Sequence, residues 1–254
     1  MKIAVFYENI HDGARTAGRQ IKDVLAELHD AGTELLYLSP DSWKRDRKEL
    51  SGIMEKLDLR VEGMFGSCDF PADPENSGYR EMLNLAAEAG AGNFLIIPGM
   101  LTGGNTQRDL ERMVTGTRKA VEYGRSRNIP VLMEDFDGLL SPYNCIAGLR
   151  YFLDHVEGLG CAFDTGNFAA FNEDELEAFQ DPDGSYEGPV TDPAASGRHA
   201  LCVRRRKTGI CLRDWQRIYQ DRGDPEAAEA QKLQRERNCG AVCMRRGFRS
   251  AGRC

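Results

Sequence analysis

Short apolar runs and longer amphipathic stretches alternate along the first 180 residues. Residues 2–7, KIAVFY, form an apolar run of the kind found in a strand buried on both faces. From Ala14 to Asp30 the spacing of Ile21, Val24, Leu25 and Leu28 predicts a helix. Residues 33–38, TELLYL, read as a second strand. Asp41 to Leu57 reads as a helix with an Asp-Ser cap signal and with Leu50, Ile53, Met54 and Leu57 on one face. The pattern repeats with a strand at 59–65, a helix at 79–89, a strand NFLII at 93–97 and a helix at 107–127. A fifth strand at 131–134, a helix at 145–156 and a sixth strand at 160–163 follow. Asn172 to Phe179, NEDELEAF, opens a further helix with an acidic first turn.

Strict alternation of strand and helix implies parallel strands, because each crossover is a helix. Six such units in 180 residues is the pace of a (β/α)8 barrel, and the full length of 254 residues suits one such barrel. A doubly wound open sheet is the rival. It would carry a Gly-rich phosphate turn after the first strand, and YENIHDGAR is not that motif.

Beyond Phe179 the rhythm stops. Residues 181–199, DPDGSYEGPVTDPAASGRH, are rich in turn formers and lack apolar periodicity. The stretch from Leu201 to Cys254 has isolated apolar residues among arginines; HALCV and AVCM are its only strand-like runs. The domain division is therefore 1–180, a barrel with six legible units, and 181–254, an irregular Arg/Cys-rich tail that is disordered or read from a shifted frame. The last two strand–helix units are missing or aberrant.

Composition bounds the function. The net charge of −7 argues against a general nucleic-acid binder, which needs clustered cations. No apolar run reaches the roughly 18 residues of a membrane helix, and no export signal is visible, so a cytoplasmic location is expected. The tail residues His199, Cys202, Cys211, Cys239 and Cys243 have C-x8-C and C-x3-C spacings, which are not those of a zinc ribbon or finger.

Chemistry in a parallel barrel gathers at the carboxyl ends of the strands. Three places qualify: Pro98-Gly99 with Thr102, Gly103 and Gly104; Glu134-Asp135; and Asp164-Thr165-Gly166-Asn167. Glu134 reads either as a solvated strand-end carboxylate or as a functional one. Asp164 is a turn cap or a ligand, Asn167 a turn residue or a substrate contact, and Asp135 a polar neighbour.

The segments VLMEDFDG and SPYNCIAGLRYFLDHVEGLGCAFDTGNF resemble the xylose isomerase-like barrel family of sugar phosphate isomerases and epimerases. The resemblance lies in a strand-5 glutamate in an E-D context, followed about thirty residues later by a strand-6 D-x-G-N turn. It implies a TIM barrel and a divalent cation (Mn, Mg or Co) held by four ligands from the last four strands. Glu134 and Asp164 are two of these, Glu134 is also an acid/base group, and Asn167 contacts the substrate. The implied substrate is a small sugar or sugar phosphate converted through an enediolate. Barrels of this family associate, so a homo-oligomer is compatible, though no segment marks an interface.

Two departures stand out. Many relatives place a histidine where Asn167 stands. Neither the seventh-strand H-x-K-D-like segment nor the eighth-strand glutamate can be found; His199 lies in GRHALCVRRR, and no glutamate follows Glu236. Half of the implied metal site is missing from the sequence. A catalytically inactive partial barrel is therefore the alternative function. An apurinic endonuclease-like hydrolase of the same fold is disfavoured, because it needs more His and Glu and a less acidic surface.

Overall fold

The computed structural model describes residues 3–162, apart from 137 and 139, together with Asp164 and Asn167. The expected helix at 172–179, the stretch 181–199 and the tail from Leu201, with its cysteines and His199, lie outside the described residues. So does Glu236.

Six strands form one parallel sheet in the order β1-β2-β3-β4-β5-β6. They are β1 (Ile3–Phe6), β2 (Thr33–Leu38), β3 (Arg60–Ser67), β4 (Asn93–Ile97), β5 (Val131–Glu134) and β6 (Gly160–Ala162). Each strand pairs with the next in sequence, so the order never reverses as it would in a doubly wound sheet. Successive helical crossovers in one direction make this a TIM-barrel-like α/β fold.

The helices between the strands are α1 (Tyr7–Thr16), α2 (Ile21–Asp30), α3 (Pro40–Leu57), α4 (Gly78–Glu88), α5 (Thr106–Ser126) and α6 (Ile146–His155). The first crossover departs from its expectation. One helix over 14–30 is instead two, because Gly18 takes φ +64° and breaks the run, while the polar segment YENIHDG coils directly after β1. The cap of α3 also lies earlier than the Asp-Ser signal. Ser39 Oγ accepts from the Ser42 N–H at 3.1 Å and Pro40 opens the first turn. Asn105 caps α5 in the same way, accepting from the Arg108 N–H at 3.0 Å.

Alternation along the strands separates two layers. Leu36, Leu38, Met64, Phe94, Ile96 and Met133 face the helices and are fully buried. Burying each such side chain stabilises the fold by roughly 1.5–3 kcal/mol. Phe6, Tyr37 and Phe65 face the barrel axis and pack ring to ring across β1–β3, with centroids 5.5 and 5.7 Å apart. With Ile97, Leu132 and Glu134 they form a half-buried inner face.

Candidate functional site

Strands β5 and β6 run in register, with Leu132 beside Gly160 and Glu134 beside Ala162. This register brings Glu134 to the same end of the sheet as Asp164, two residues past β6. Asp135 lies between them and is completely buried. Its carboxylate accepts the Asp164 N–H at 3.4 Å, and its backbone oxygen accepts from the Asn167 side-chain amide at 2.6 Å. The Asn167 N–H in turn reaches Asp164 Oδ1 at 3.3 Å. The structure thus gathers Glu134, Asp164 and Asn167 at one end of the sheet, and adds Asp135 at their centre.

Asp135 is the residue that the sequence reading undervalued. A polar neighbour would be solvated, whereas this carboxyl is sealed in and its Oδ2 has no hydrogen-bond partner. Burial first, then the nearby charges of Asp164 and Glu134, push its pKa up to about 8. The only signal for it in the sequence is the E-D pair itself, and burial is not a local property.

Glu134 stands two residues from Leu132 on β5 and so shares its inner face. After burial, Glu134 is the next group raising the phenol pKa of Tyr37 on the inner face of β2. It also pushes up the buried Tyr143 phenol, and with Asp135 it helps burial to hold the Cys161 thiol at about 12. The carboxylate therefore faces the barrel axis, where a ligand in the mouth could reach it.

The loops around these carboxylates are tied to one another. Gly99, directly after β4, takes φ +107°, and a side chain there would come within 2.8 Å of Pro71. Its carbonyl accepts from the Tyr143 hydroxyl at 2.9 Å, and the Leu101 N–H bonds to Leu140 O at 2.9 Å. Asp109, itself only 3% exposed, accepts from both the N–H and the hydroxyl of Thr102, at 2.8 and 2.7 Å. The segment after β4 is thereby tied to the loop after β5 and to α5. Gly103 and Gly104 stand clear at its tip, with no side chain near enough to restrict Gly103.

Oxygen donors of this kind suit a hard divalent cation, and two carboxylates beside a buried carboxyl whose ionisation they oppose is an arrangement that a cation would relieve. The number of donors is smaller than a complete site requires. Among the described residues, no group of three or more His, Cys, Asp and Glu side chains is placed to hold a metal ion. The donor type fits; the described residues supply part of a ligand set.

A family model for the xylose isomerase-like TIM barrel matches residues 15–189. The chain belongs to this family. A comparison with curated proteins finds no match. Solved structures share the fold. The probable 3-DHS dehydratase AsbF of Bacillus anthracis is 16% identical, with 71% of this chain and 69% of that one covered at a TM-score of 0.57. The 3-keto-D-glucoside 4-epimerase YcjR of E. coli is 12% identical, with 86% and 94% covered and a TM-score of 0.54. D-psicose 3-epimerase from Clostridium cellulolyticum H10, solved with D-tagatose, is 14% identical, with 69% and 66% covered and a TM-score of 0.52. At these identities the likeness is one of fold, and for the dehydratase and the psicose epimerase it spans about two thirds of their length. No helix among the described residues is long and apolar enough to cross a membrane.

Proposed function

We propose that this chain isomerises or epimerises a sugar or sugar phosphate at a carbon next to a carbonyl. The observation that carries the reading is the gathering of Glu134 and Asp164 at the ends of adjacent strands around the buried Asp135. The names of two structural neighbours support the substrate class. A 3-keto sugar altered at carbon 4 and a ketohexose altered at carbon 3 each react beside a ketone, where a C–H proton is acidified.

Glu134 takes that proton, and the C–H electron pair moves toward the carbonyl oxygen to give an enediolate. Protonation of that carbon from the opposite face by a second acid would give the epimer; transfer of the proton by Glu134 to the former carbonyl carbon on the same face gives the isomer. Asn167, oriented by the bond from its amide to the Asp135 carbonyl, would accept from a substrate hydroxyl through its Oδ1. Glu134 and Asp164 would hold a divalent cation, which when bound polarises the substrate carbonyl as a Lewis acid. A cytoplasmic location belongs to the same reading.

The test is metal content and turnover in the purified chain, using ketohexoses and their phosphates followed by NMR. Water loss is read out as well, because a probable dehydratase is among the neighbours. The expected outcome is one equivalent of Mn, Mg or Co, lost in Glu134→Gln and Asp164→Asn, with turnover lowered about 10²- to 10⁴-fold. A metal-free chain without turnover overturns the reading and leaves a non-catalytic partial barrel.

The tail has its own reading. Arginine and cysteine crowd the sequence after residue 200, and the family match ends at 189. This favours translation of the last quarter in a shifted frame. Sequencing the gene decides it: the shifted frames should encode an H-x-K-D-like strand, and their failure to do so removes the idea.

A further inference from the structure

Two grooves among the described residues lie away from the strand-end carboxylates. The first, about 410 Å³, separates α1 from α3 and is lined by residues including Glu8, Arg15, Arg45 and Asp46. Its arginines face carboxylates. Arg45 is bonded to Asp46, with Nη2 at 2.6 Å, and the three carboxylates of Glu8, Asp12 and Asp46 outnumber the two arginines. Little cationic capacity is left for a ligand.

The second groove, about 510 Å³, lies between α4 and α5, and its cations are held differently. Tyr79 and Tyr123 meet edge to face, with centroids 6.1 Å apart. The Arg80 guanidinium lies 5.7 Å from the first ring and 4.9 Å from the second. Arg127 lies 5.2 Å from the Tyr123 ring and donates to its hydroxyl at 2.9 Å. Among the described residues neither arginine forms an ion pair.

That difference has a chemical meaning. A guanidinium held by a carboxylate has spent its charge and its N–H fork. One held by a ring face keeps its N–H edge for an anion, because the ring uses the π surface of the cation alone. Lys119 lines the same groove and reaches Glu75 only at 3.7 Å, too long for a hydrogen bond. Ser77 lines it too and makes no capping bond at the head of α4. The local field is visible in Tyr123, whose phenol pKa is lowered by the Arg127 hydrogen bond despite partial burial. Glu75 and Glu122 also line the groove, so its two cations, Arg80 and Lys119, face two carboxylates, and Arg127 adds a third positive charge beside the Tyr123 ring outside the lining. A groove of this size accommodates a sugar-sized molecule. A phosphate monoester, with three acceptor oxygens and a double charge, matches the planar fork, the ammonium and the hydroxyl better than a single carboxylate.

We propose that the α4–α5 groove binds a small phosphorylated molecule by its phosphoryl group, through Arg80, Lys119 and Ser77, at a site distinct from the strand-end carboxylates. The reading holds whether or not the strand ends are catalytic, since it concerns other residues and a binding measurement.

The test uses the full chain and calorimetric titration at fixed ionic strength with inorganic phosphate, glucose 6-phosphate and glucose. Saturable binding of glucose 6-phosphate at about 1 mM or tighter is expected, with none for glucose. Inorganic phosphate binding as tightly as the ester would mark free phosphate as the ligand and overturn the monoester. Arg80→Gln should weaken binding at least about tenfold, and Arg80→Lys, which keeps the charge but loses the fork and the stack, should weaken it less. Lys119→Gln gives a second reading should the Arg80 variants fail to fold. Glu134→Gln should leave binding unchanged. The proposal is overturned if no heat exceeds that of matched chloride, or if Glu134→Gln weakens binding while the Arg80 and Lys119 variants do not.

Discussion

Toward the helices, β2 to β5 present Leu36, Leu38, Met64, Phe94, Ile96 and Met133, all sealed from solvent; toward the barrel axis the same strands present buried Leu35 and Leu95 together with Tyr37, Phe65, Leu132 and Glu134, which are half open. The sealed part of the outer layer is apolar and supplies stability. The inner one mixes rings with carboxyl groups and accepts electrostatic repulsion, as between Glu134 and Asp135. One alternating strand serves both ends because its period of two keeps the layers independent. Stability and chemistry can then be varied separately, and each of the following measurements tests that independence.

The largest effect should come from the outer layer. Phe94→Ala should lower unfolding free energy by about 3–5 kcal/mol in urea denaturation, whereas Leu132→Ala on the inner face should lose half of that or less, since its site is already part-solvated. Equal losses would break the comparison. Next comes Asp109→Ala, which strands the Thr102 N–H and hydroxyl and should cost about 1–3 kcal/mol, with faster amide exchange at Thr102; Asp109→Asn, which keeps an acceptor, should cost less.

A smaller effect is expected at Asp46. Burial alone would raise its pKa, but hydrogen bonds from Arg45 and Tyr7 outweigh burial and hold the carboxyl below its usual value. A lowered folded pKa contributes stability above the unfolded value near 3.9, and that stability is lost as pH falls through the folded one. Asp46→Asn should therefore flatten the acid limb of stability by under about 1 kcal/mol and leave neutral pH less affected than a buried pair would. The smallest change in folding should be at Glu134. Glu134→Gln removes a like charge beside Asp135, so the urea midpoint should stay level or rise even as metal and turnover are lost. A marked loss of stability would assign Glu134 to the scaffold.

The strands were legible from sequence because buried parallel strands are short and apolar throughout; NFLII and VLME have the bounds that their runs announce. Glu134 and Asp164 were legible through their position after such runs. The break at Gly18 was not, since HDGARTAG carries no apolar beat to interrupt. Asp135 and Asp109 escaped for another reason. Both are acidic residues whose burial depends on neighbours 29 and 7 positions away, and no window of sequence displays that.

The bonds from Tyr143 to Gly99 and from Leu101 to Leu140 join the loops after β4 and β5 into one piece. Such loops cannot change length independently. A residue inserted between Gly99 and Leu101 would shift one anchor and spare the other. Over evolutionary time the pair should therefore accept insertions at the open Gly103-Gly104 tip, or lengthen together, so that new substrate preferences in this barrel would arise at that tip before anywhere else on the two loops.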